Sequence, residues 1–214
     1  WELPEEYEYV PYVRTNENEA IWIDTGVGGA HFDPKTVDIE VKFSSSGGTN
    51  TVSAAIFGYR TSSTANQFAL FDSGASVALS NRYGTTGNNF FTAAKGYVKG
   101  NAYTYRATTI GNYRTVYIDG KELYKVTTHP TKLGHIYLFG CNENDSGSVT
   151  NVNGIRTIYY CKIWNTGTLV RDFIAVRRIE DGEVGFFDKI TNQFYISPNG
   201  KHFVTQSYSR SLEV

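Results

Sequence analysis

Two carboxylates that alternate along one apolar segment, Asp38 and Glu40, carry the clearest catalytic potential in the sequence. Alternating residues of a strand point to the same face, which would place the carboxyl groups near the roughly 5–5.5 Å separation that retaining glycoside hydrolysis needs. The apolar neighbours Val37, Ile39 and Val41 give the pattern of any half-exposed strand. We therefore interpret the two acids as part of a solvated outer face, with glycoside hydrolysis as the least favoured alternative.

Other catalytic signatures are missing from the sequence. The four histidines are scattered, and no serine stands in a Gly-x-Ser-x-Gly motif. No His-x-x-x-His or Cys-x-x-Cys spacing predicts a zinc site. We predict that the protein is not an enzyme and that it has no catalytic residues.

A polar segment supplies candidate calcium ligands, Asn142, Asn144 and Asp145. Calcium prefers hard oxygen ligands such as amide and carboxylate groups. Asn and Asp are also common turn formers, and their spacing here matches no fixed calcium motif. We expect a turn at this position, and we predict no other cofactor.

Residues 81–90 have the composition of a sugar-binding loop, since they combine aromatic rings with amide and guanidinium groups. Small-ligand sites pair apolar or aromatic surface with a few placed polar groups. The candidate ligand-binding residues are Asn81, Arg82, Tyr83 and Asn88, together with Tyr59, Arg60 and Asp72 at the ends of neighbouring strands. Each aromatic ring among them could instead pack inside the domain, and both interpretations stay open.

The composition favours a β-sheet scaffold for these residues. The 214 residues include 16 Tyr, 13 Phe and 3 Trp, and aromatic residues favour pleated, half-buried surfaces. The net charge of −1 argues against broad electrostatic binding of nucleic acid. No apolar run approaches the roughly 18 residues that direct membrane insertion requires.

Alternation of apolar and polar residues predicts about thirteen short strands. They are residues 20–24, 37–43, 53–59, 67–72, 77–82, 103–109, 114–118, 122–126, 136–140, 155–164, 169–177, 184–188 and 193–196. Asp119-Gly120 predicts a type I′ hairpin turn, and residues 44–51, 84–89 and 142–153 are predicted long loops. Such closely spaced strands are typical of an all-β sandwich or barrel. Trp22 and Trp164 alternate with polar neighbours, and we predict that both pack in the core.

The two cysteines, Cys141 and Cys161, are too few for a disulfide framework. In a direct hairpin Cys141 would lie opposite about residue 155. The distance along the strand from residue 155 to Cys161, at the usual rise per residue, is roughly 20 Å, which is too far for a disulfide bond. Other strand orders could bring them together. We predict two free, largely buried thiols.

Several short segments, taken in order, resemble concanavalin A-like, laminin-G-like domains. The segments are residues 3–10, 22–27, 56–58, 117–121, 136–140, 162–165, 169–173 and 184–189. The resemblance spans about Leu3 to Phe203, departs from the family at residues 14–19, and has Cys161 where a larger core residue is expected. It implies an all-β, antiparallel two-sheet jelly-roll sandwich of the concanavalin A-like lectin and glucanase type.

This resemblance implies a module of a bacterial surface protein or a phage structural protein. We predict a non-catalytic carbohydrate-binding or adhesion module at the bacterial cell surface or on a virion, whose partner is a glycan or a host or cell-surface protein. The alternative is a purely structural or assembly domain of a virion or surface fibre. We expect one domain over residues 1–208, cut from a longer chain since Met is absent, and a possible tag remnant at residues 209–214.

Overall fold

The computed structural model describes residues 1–47, 52–62, 64–74 and 76–206, and it is built almost entirely from β-strands. Residues 209–214, predicted to be a tag remnant, lie outside the described residues. A single 3₁₀ turn at Ala93–Lys95 is the only helix in the described ranges. No helix among the described residues is long and apolar enough to cross a membrane.

Ten strands, numbered here along the chain, form the first sheet. Its spatial order is β11 (Lys121–Val126), β10 (Tyr113–Ile118), β9 (Tyr103–Ile110), β4 (Val37–Ser45), β15 (Arg156–Asn165), β16 (Thr168–Arg178), β17 (Val184–Asp188) and β18 (Gln193–Tyr195). Two short strands complete it: β1 (Tyr7–Tyr9) pairs with β16, and β2 (Val13–Arg14) pairs with β15.

Eight strands form the second sheet. Its spatial order is β14 (Val149–Thr150), β13 (Cys141–Glu143), β5 (Ala54–Arg60), β6 (Gln67–Asp72), β7 (Ala78–Gly84) and β8 (Thr86–Thr92), and β12 (Tyr137–Leu138) bridges β5 to β3 (Ile23–Asp24). Every pairing described in either sheet is antiparallel except that of β13 with β5. Since the chain passes repeatedly between the two sheets, the architecture is a jelly-roll sandwich, which confirms the predicted fold class.

Strand alternation explains how the sheets form one interior. In β4, Val37, Ile39, Val41 and Phe43 are fully buried, whereas the residues between them are only partly covered. Apolar side chains of both sheets meet in one large cluster, which includes Phe57 of β5 and Phe173 of β16. Burial of large aromatic side chains supplies much of the hydrophobic stabilisation of such a sandwich.

The structure confirms several predicted local features. Asp119 and Gly120 both have positive φ, 48° and 78°, as a type I′ turn between β10 and β11 requires. Strands β6 and β17 have the predicted bounds. Cys141 and Cys161 are free and buried in different sheets, and burial raises the pKa of the Cys141 thiol to about 12.

Three predictions are wrong. Residues 84–89 are not a long loop, because the chain turns at Gly84–Thr86 and continues as β8. The predicted loop 142–153 contains most of β13 and all of β14. Trp164 does not pack in the core: Cys161 and Ile163 of β15 point inward, so Trp164 lies partly exposed on the outer face.

Candidate functional site

The outer face of the second sheet carries two arginines that line one pocket. Arg60 ends β5, and Arg82 lies in β7 on the other side of β6. The pocket has a volume of about 160 Å³ and is lined by Ser53, Arg60, Gln67, Phe71, Arg82 and Asn151. We call this site the arginine pocket.

The floor of the arginine pocket follows from the alternation of β6. Phe68 and Leu70 point into the large interior cluster, whereas Ala69 and Phe71 join Ala55 and Cys141 in a separate apolar cluster. Because successive residues of a strand face opposite sides, this second cluster belongs to the outer face. The two arginines therefore lie on the same face as this apolar cluster, of which Phe71 lines the pocket.

Two glycines keep this face open. A Cβ atom on Gly58 would come 2.6 Å from Cβ of Ala69 and 3.1 Å from Sγ of Cys141. A Cβ atom on Gly87, which lies directly opposite Arg82, would come 2.2 Å from Nη1 of Arg82. The side chain of Arg82 thus lies across the backbone of β8, where only glycine leaves room for it.

The arginine pocket has more positive than negative charge. Nη2 of Arg60 lies 3.4 Å from Oε2 of Glu143, and Nε of Arg60 is buried without a hydrogen-bond partner among the described residues. The side chain of Arg82 forms no ion pair or hydrogen bond with the described part of the chain, and its guanidinium lies 6.0 Å from the ring centre of Phe71. Burial, and then the charge of Arg60, lowers the pKa of Arg82. This arrangement disposes the site to accept an anionic group.

Three of the predicted ligand-binding residues face the interior instead. The Tyr59 ring is fully buried in the main cluster. Asn81 accepts a 2.7 Å hydrogen bond from the Tyr105 hydroxyl, and Tyr83 donates a 2.9 Å hydrogen bond to the carbonyl of Pro34. Their neighbours in sequence, Arg60 and Arg82, face outward, so the structure brings together only these two of the five.

The remaining two predicted ligand-binding residues also lie away from the pocket. Asp72 is fully buried at the end of β6, and burial raises the pKa of its carboxyl group against the opposing effects of Ser45, Tyr97 and Lys99. Asn88 is exposed on β8, opposite Asn81. It follows Gly87 by one position, so its side chain points to the opposite face of the sheet from the one that Arg82 occupies.

The predicted calcium ligands lie in or beside one turn, where Asn142 and Asp145 bond to each other. The Asn142 amide donates 2.8 Å hydrogen bonds to the carbonyl of His135 and to Oδ1 of Asp145, so it presents N–H groups rather than oxygen to that carboxylate. Asn144 occupies a left-handed turn with φ of 55°. Throughout the described ranges, no group of three or more His, Cys, Asp or Glu side chains could hold a metal ion.

The two alternating carboxylates lie on the outer face of the first sheet, as expected, but the protein itself uses most of the hydrogen-bonding capacity of one of them, Asp38. Asp38 accepts hydrogen bonds from Nη1 of Arg114 (3.2 Å), the backbone N–H of Thr109 (3.0 Å) and the Thr108 hydroxyl (2.6 Å). Arg114 is only 2% exposed, so Asp38 balances a buried charge. A carboxylate held in this way is poorly placed to act as a nucleophile.

Four residues that line the arginine pocket were missed from the sequence, namely Ser53, Gln67, Phe71 and Asn151. Gln67 and Phe71 could have been found, because they alternate with buried Phe68 and Leu70 on a strand whose bounds were predicted correctly. Ser53 and Asn151 reach the pocket through the pairing of distant segments, in which Nδ2 of Asn151 donates a 3.4 Å hydrogen bond to the carbonyl of Ser53. No local pattern indicates that contact.

No protein-family model matches this chain, and no curated protein matches its sequence. Similar solved structures include CBM40 of the Ruminococcus gnavus IT-sialidase bound to α2,3-sialyllactose, with 10% identity and a TM-score of 0.46 over 72% of this chain and 90% of that one. Domains LG4-5 of the mouse laminin α1 chain give 14% identity and a TM-score of 0.39 over 77% and 42%. A native glycosidic hydrolase gives 15% identity and a TM-score of 0.38 over 78% and 93%.

Proposed function

We propose that this protein is a non-catalytic carbohydrate-binding module that recognises an acidic glycan at the arginine pocket. The observation that carries the proposal is the pairing of Arg60 and Arg82 on one open sheet face, with Glu143 as their one carboxylate partner among the described residues. Guanidinium groups form paired, charge-assisted hydrogen bonds with carboxylates. The carboxylate of an acidic sugar would neutralise the positive charge that Glu143 leaves unbalanced on Arg60 and Arg82.

The shape of the arginine pocket supports recognition of a terminal sugar residue. Sites that enclose drug-sized ligands have volumes of about 300–1,000 Å³, whereas this pocket has about 160 Å³. The smaller volume suits the carboxylate end of one sugar, with the rest of the glycan outside. Phe71 is the apolar residue of the lining and would face the ring carbons, and Gln67 and Asn151 would supply amides for the hydroxyl groups.

The proposal extends to location and partners. Glycans that end in acidic sugars are displayed outside cells, so we place the module at the bacterial cell surface or on a virion, where it would attach a larger protein to a glycan. A host or cell-surface protein partner would bind through the glycans that it carries. The alternative, a purely structural domain, gives no reason for two arginines to converge on an open pocket.

The test is a glycan array that carries sialylated, uronic acid-containing and neutral oligosaccharides. We expect acidic glycans to bind much more tightly than neutral ones, and we expect Arg82→Gln and Arg60→Gln to remove this preference. Arg178→Gln is the matched control, since Arg178 is a partly exposed arginine of the first sheet that pairs locally with Asp181. The proposal would be contradicted if neutral and acidic glycans bound equally or if no glycan on the array bound. If no glycan bound and the protein also self-associated, the structural alternative would be favoured.

The non-catalytic part of the proposal has its own test. Incubation with polysaccharides should release no reducing ends, because Asp38 is occupied by the buried Arg114. Hydrolysis that disappears in Glu40→Gln would overturn this part and leave the glycan-binding part intact.

A further inference from the structure

A second pocket lies on the outer face of the first sheet, on the other side of the sandwich from the arginine pocket. It has a volume of about 280 Å³ and is lined by Glu40, Thr104, Arg106, Thr108, Tyr117 and Gly120. Strand register explains the grouping, because Arg106 of β9 lies directly between Glu40 of β4 and Tyr117 of β10. The type I′ turn at Gly120 borders the same pocket. We call this site the Glu40 pocket.

The carboxylate of Glu40 is held in place but keeps capacity to accept hydrogen bonds. Its Oε2 accepts from Nη1 of Arg106 at 3.2 Å, and its Oε1 accepts from the Tyr160 hydroxyl at 3.1 Å. An ionised carboxylate offers about four lone-pair positions, so each oxygen retains one. The side chain of Glu40 is 19% exposed. It therefore differs from Asp38, whose oxygens take three hydrogen bonds from the protein.

Arg106 offers donors beside these acceptors. Its side chain is 46% exposed, and its guanidinium lies 5.0 Å from the ring centre of Trp164. Among the described residues its side chain forms a hydrogen bond only with Glu40, which leaves most of its five N–H donors free. This cation–π contact with Trp164 helps to hold the guanidinium beside Glu40.

The charge of the Glu40 pocket favours an uncharged ligand. Glu40 and Arg106 neutralise each other as an ion pair, and the remaining lining groups are two threonines, a tyrosine and a glycine. An anion would be repelled by Glu40, and a cation would be repelled by Arg106. A sugar hydroxyl both donates and accepts hydrogen bonds, so neighbouring hydroxyls of a neutral sugar would satisfy the carboxylate and the guanidinium together.

We propose that the Glu40 pocket binds a neutral hexose unit of a glycan. In this arrangement one hydroxyl donates to Glu40, an adjacent hydroxyl accepts from Arg106, and the partly exposed ring of Tyr117 contacts the carbons of the sugar. The site is independent of the arginine pocket in both position and charge. The protein would thus hold an acidic sugar on one sheet and a neutral sugar on the other.

The test is a titration followed by backbone amide NMR, with maltose, cellobiose and lactose added separately to tens of millimolar. We expect a Kd in the millimolar range, because the pocket is shallow enough to contact only one sugar unit. We expect at least one disaccharide to shift amides of residues 104–108 and 117–120. Tyr117→Ala and Glu40→Gln should each weaken that binding at least tenfold. Glu40→Gln keeps the side-chain shape, so it remains informative if Tyr117→Ala does not fold.

Two matched variants show whether the binding is specific to the Glu40 pocket. Glu8→Gln changes a partly exposed glutamate of the same sheet that pairs with Arg177, and it should leave the titration unchanged. Arg82→Gln should also leave it unchanged, because that residue belongs to the arginine pocket. The proposal is overturned if none of the three disaccharides shifts these amides, if the shifts cluster around Arg60 and Arg82, or if Glu40→Gln binds as tightly as the unchanged protein.

Discussion

Replacement of Gly87 by alanine tests the arginine pocket without removing any of its charged groups. Gly87 lies in extended backbone opposite Arg82. An added Cβ would come 2.2 Å from Nη1, 2.7 Å from Cζ and 2.8 Å from Cδ of that arginine. Ordinary contacts of a Cβ begin at 3.4 Å, so the guanidinium would have to move by more than about 1 Å. Its contact with Phe71 would change as well.

The expected loss of affinity follows from this displacement. Charge-assisted N–H···O bonds have lengths of about 2.7–2.9 Å, and a shift of more than 1 Å takes them beyond hydrogen-bond distance. Hydrogen bonds to charged groups contribute about 1.5–3 kcal/mol, which corresponds to a 10- to 150-fold weaker Kd. Folding should not suffer, because alanine is favoured over glycine in a strand by roughly 0.5–1 kcal/mol.

The assay combines calorimetric titration with an acidic glycan bound on the array and thermal unfolding of the same samples. Gly87→Ala should bind at least tenfold more weakly while its Tm is equal or higher. Asn88→Ala, one position further along β8 and on the opposite face, is the matched control and should bind normally. An unchanged Kd in Gly87→Ala would refute the role of Arg82, and a Tm that falls by several degrees would show that the added methyl group disturbs the sheet instead.

Three further predictions concern buried groups. Asp38→Ala should lower the free energy of unfolding, measured by urea denaturation, by about 3–5 kcal/mol, because it leaves the buried Arg114 without its carboxylate. Glu40→Gln should lower it by less than about 1 kcal/mol, because the ion pair of Glu40 with Arg106 is partly exposed. Equal losses in the two variants would contradict this difference. Because the pKa of Asp72 is raised in the folded protein, the folded state keeps a proton on this carboxyl that the unfolded state loses. The free energy of unfolding should therefore fall as the pH rises above about 3.8. Asp72→Asn should reduce this dependence on pH and should be more stable than the unchanged protein at neutral pH. The Cys141 thiol, with its pKa raised to about 12, should react with a thiol reagent at pH 8 only after unfolding; rapid reaction of the native protein would contradict its burial.

The strands with strong apolar alternation could be predicted from the sequence. The strands that form only through backbone hydrogen bonds to a neighbouring strand could not. The strand Val184–Asp188 combines apolar residues with a clear following turn, and its bounds were predicted correctly. The first part of β8, Thr86–Asn89, has no apolar alternation, so nothing local distinguishes it from a loop. It becomes a strand because β7 offers it an unpaired edge, which is a tertiary effect.

The candidate site was predicted in part for a similar reason. The residues proposed from the sequence are neighbours in the chain, such as Tyr59 with Arg60 and Asn81 with Arg82. Consecutive residues of a strand face opposite sides of the sheet, so only one member of each pair can reach the outer face. Arg60 and Arg82 share that face because β5 and β7 both flank β6, and this adjacency depends on the strand order rather than on local sequence.

The most direct test of acidic-glycan recognition is an NMR titration that observes the Nε–H resonances of the arginines while α2,3-sialyllactose is added. The resonances of Arg60 and Arg82 should shift together and saturate at one Kd, and that of Arg178, which lies outside both pockets, should stay in place. Lactose at the same concentrations should leave Arg60 and Arg82 unshifted. Shifts confined to arginines outside the pocket, or equal shifts of Arg60 and Arg82 with lactose, would contradict recognition of an acidic sugar by this pair.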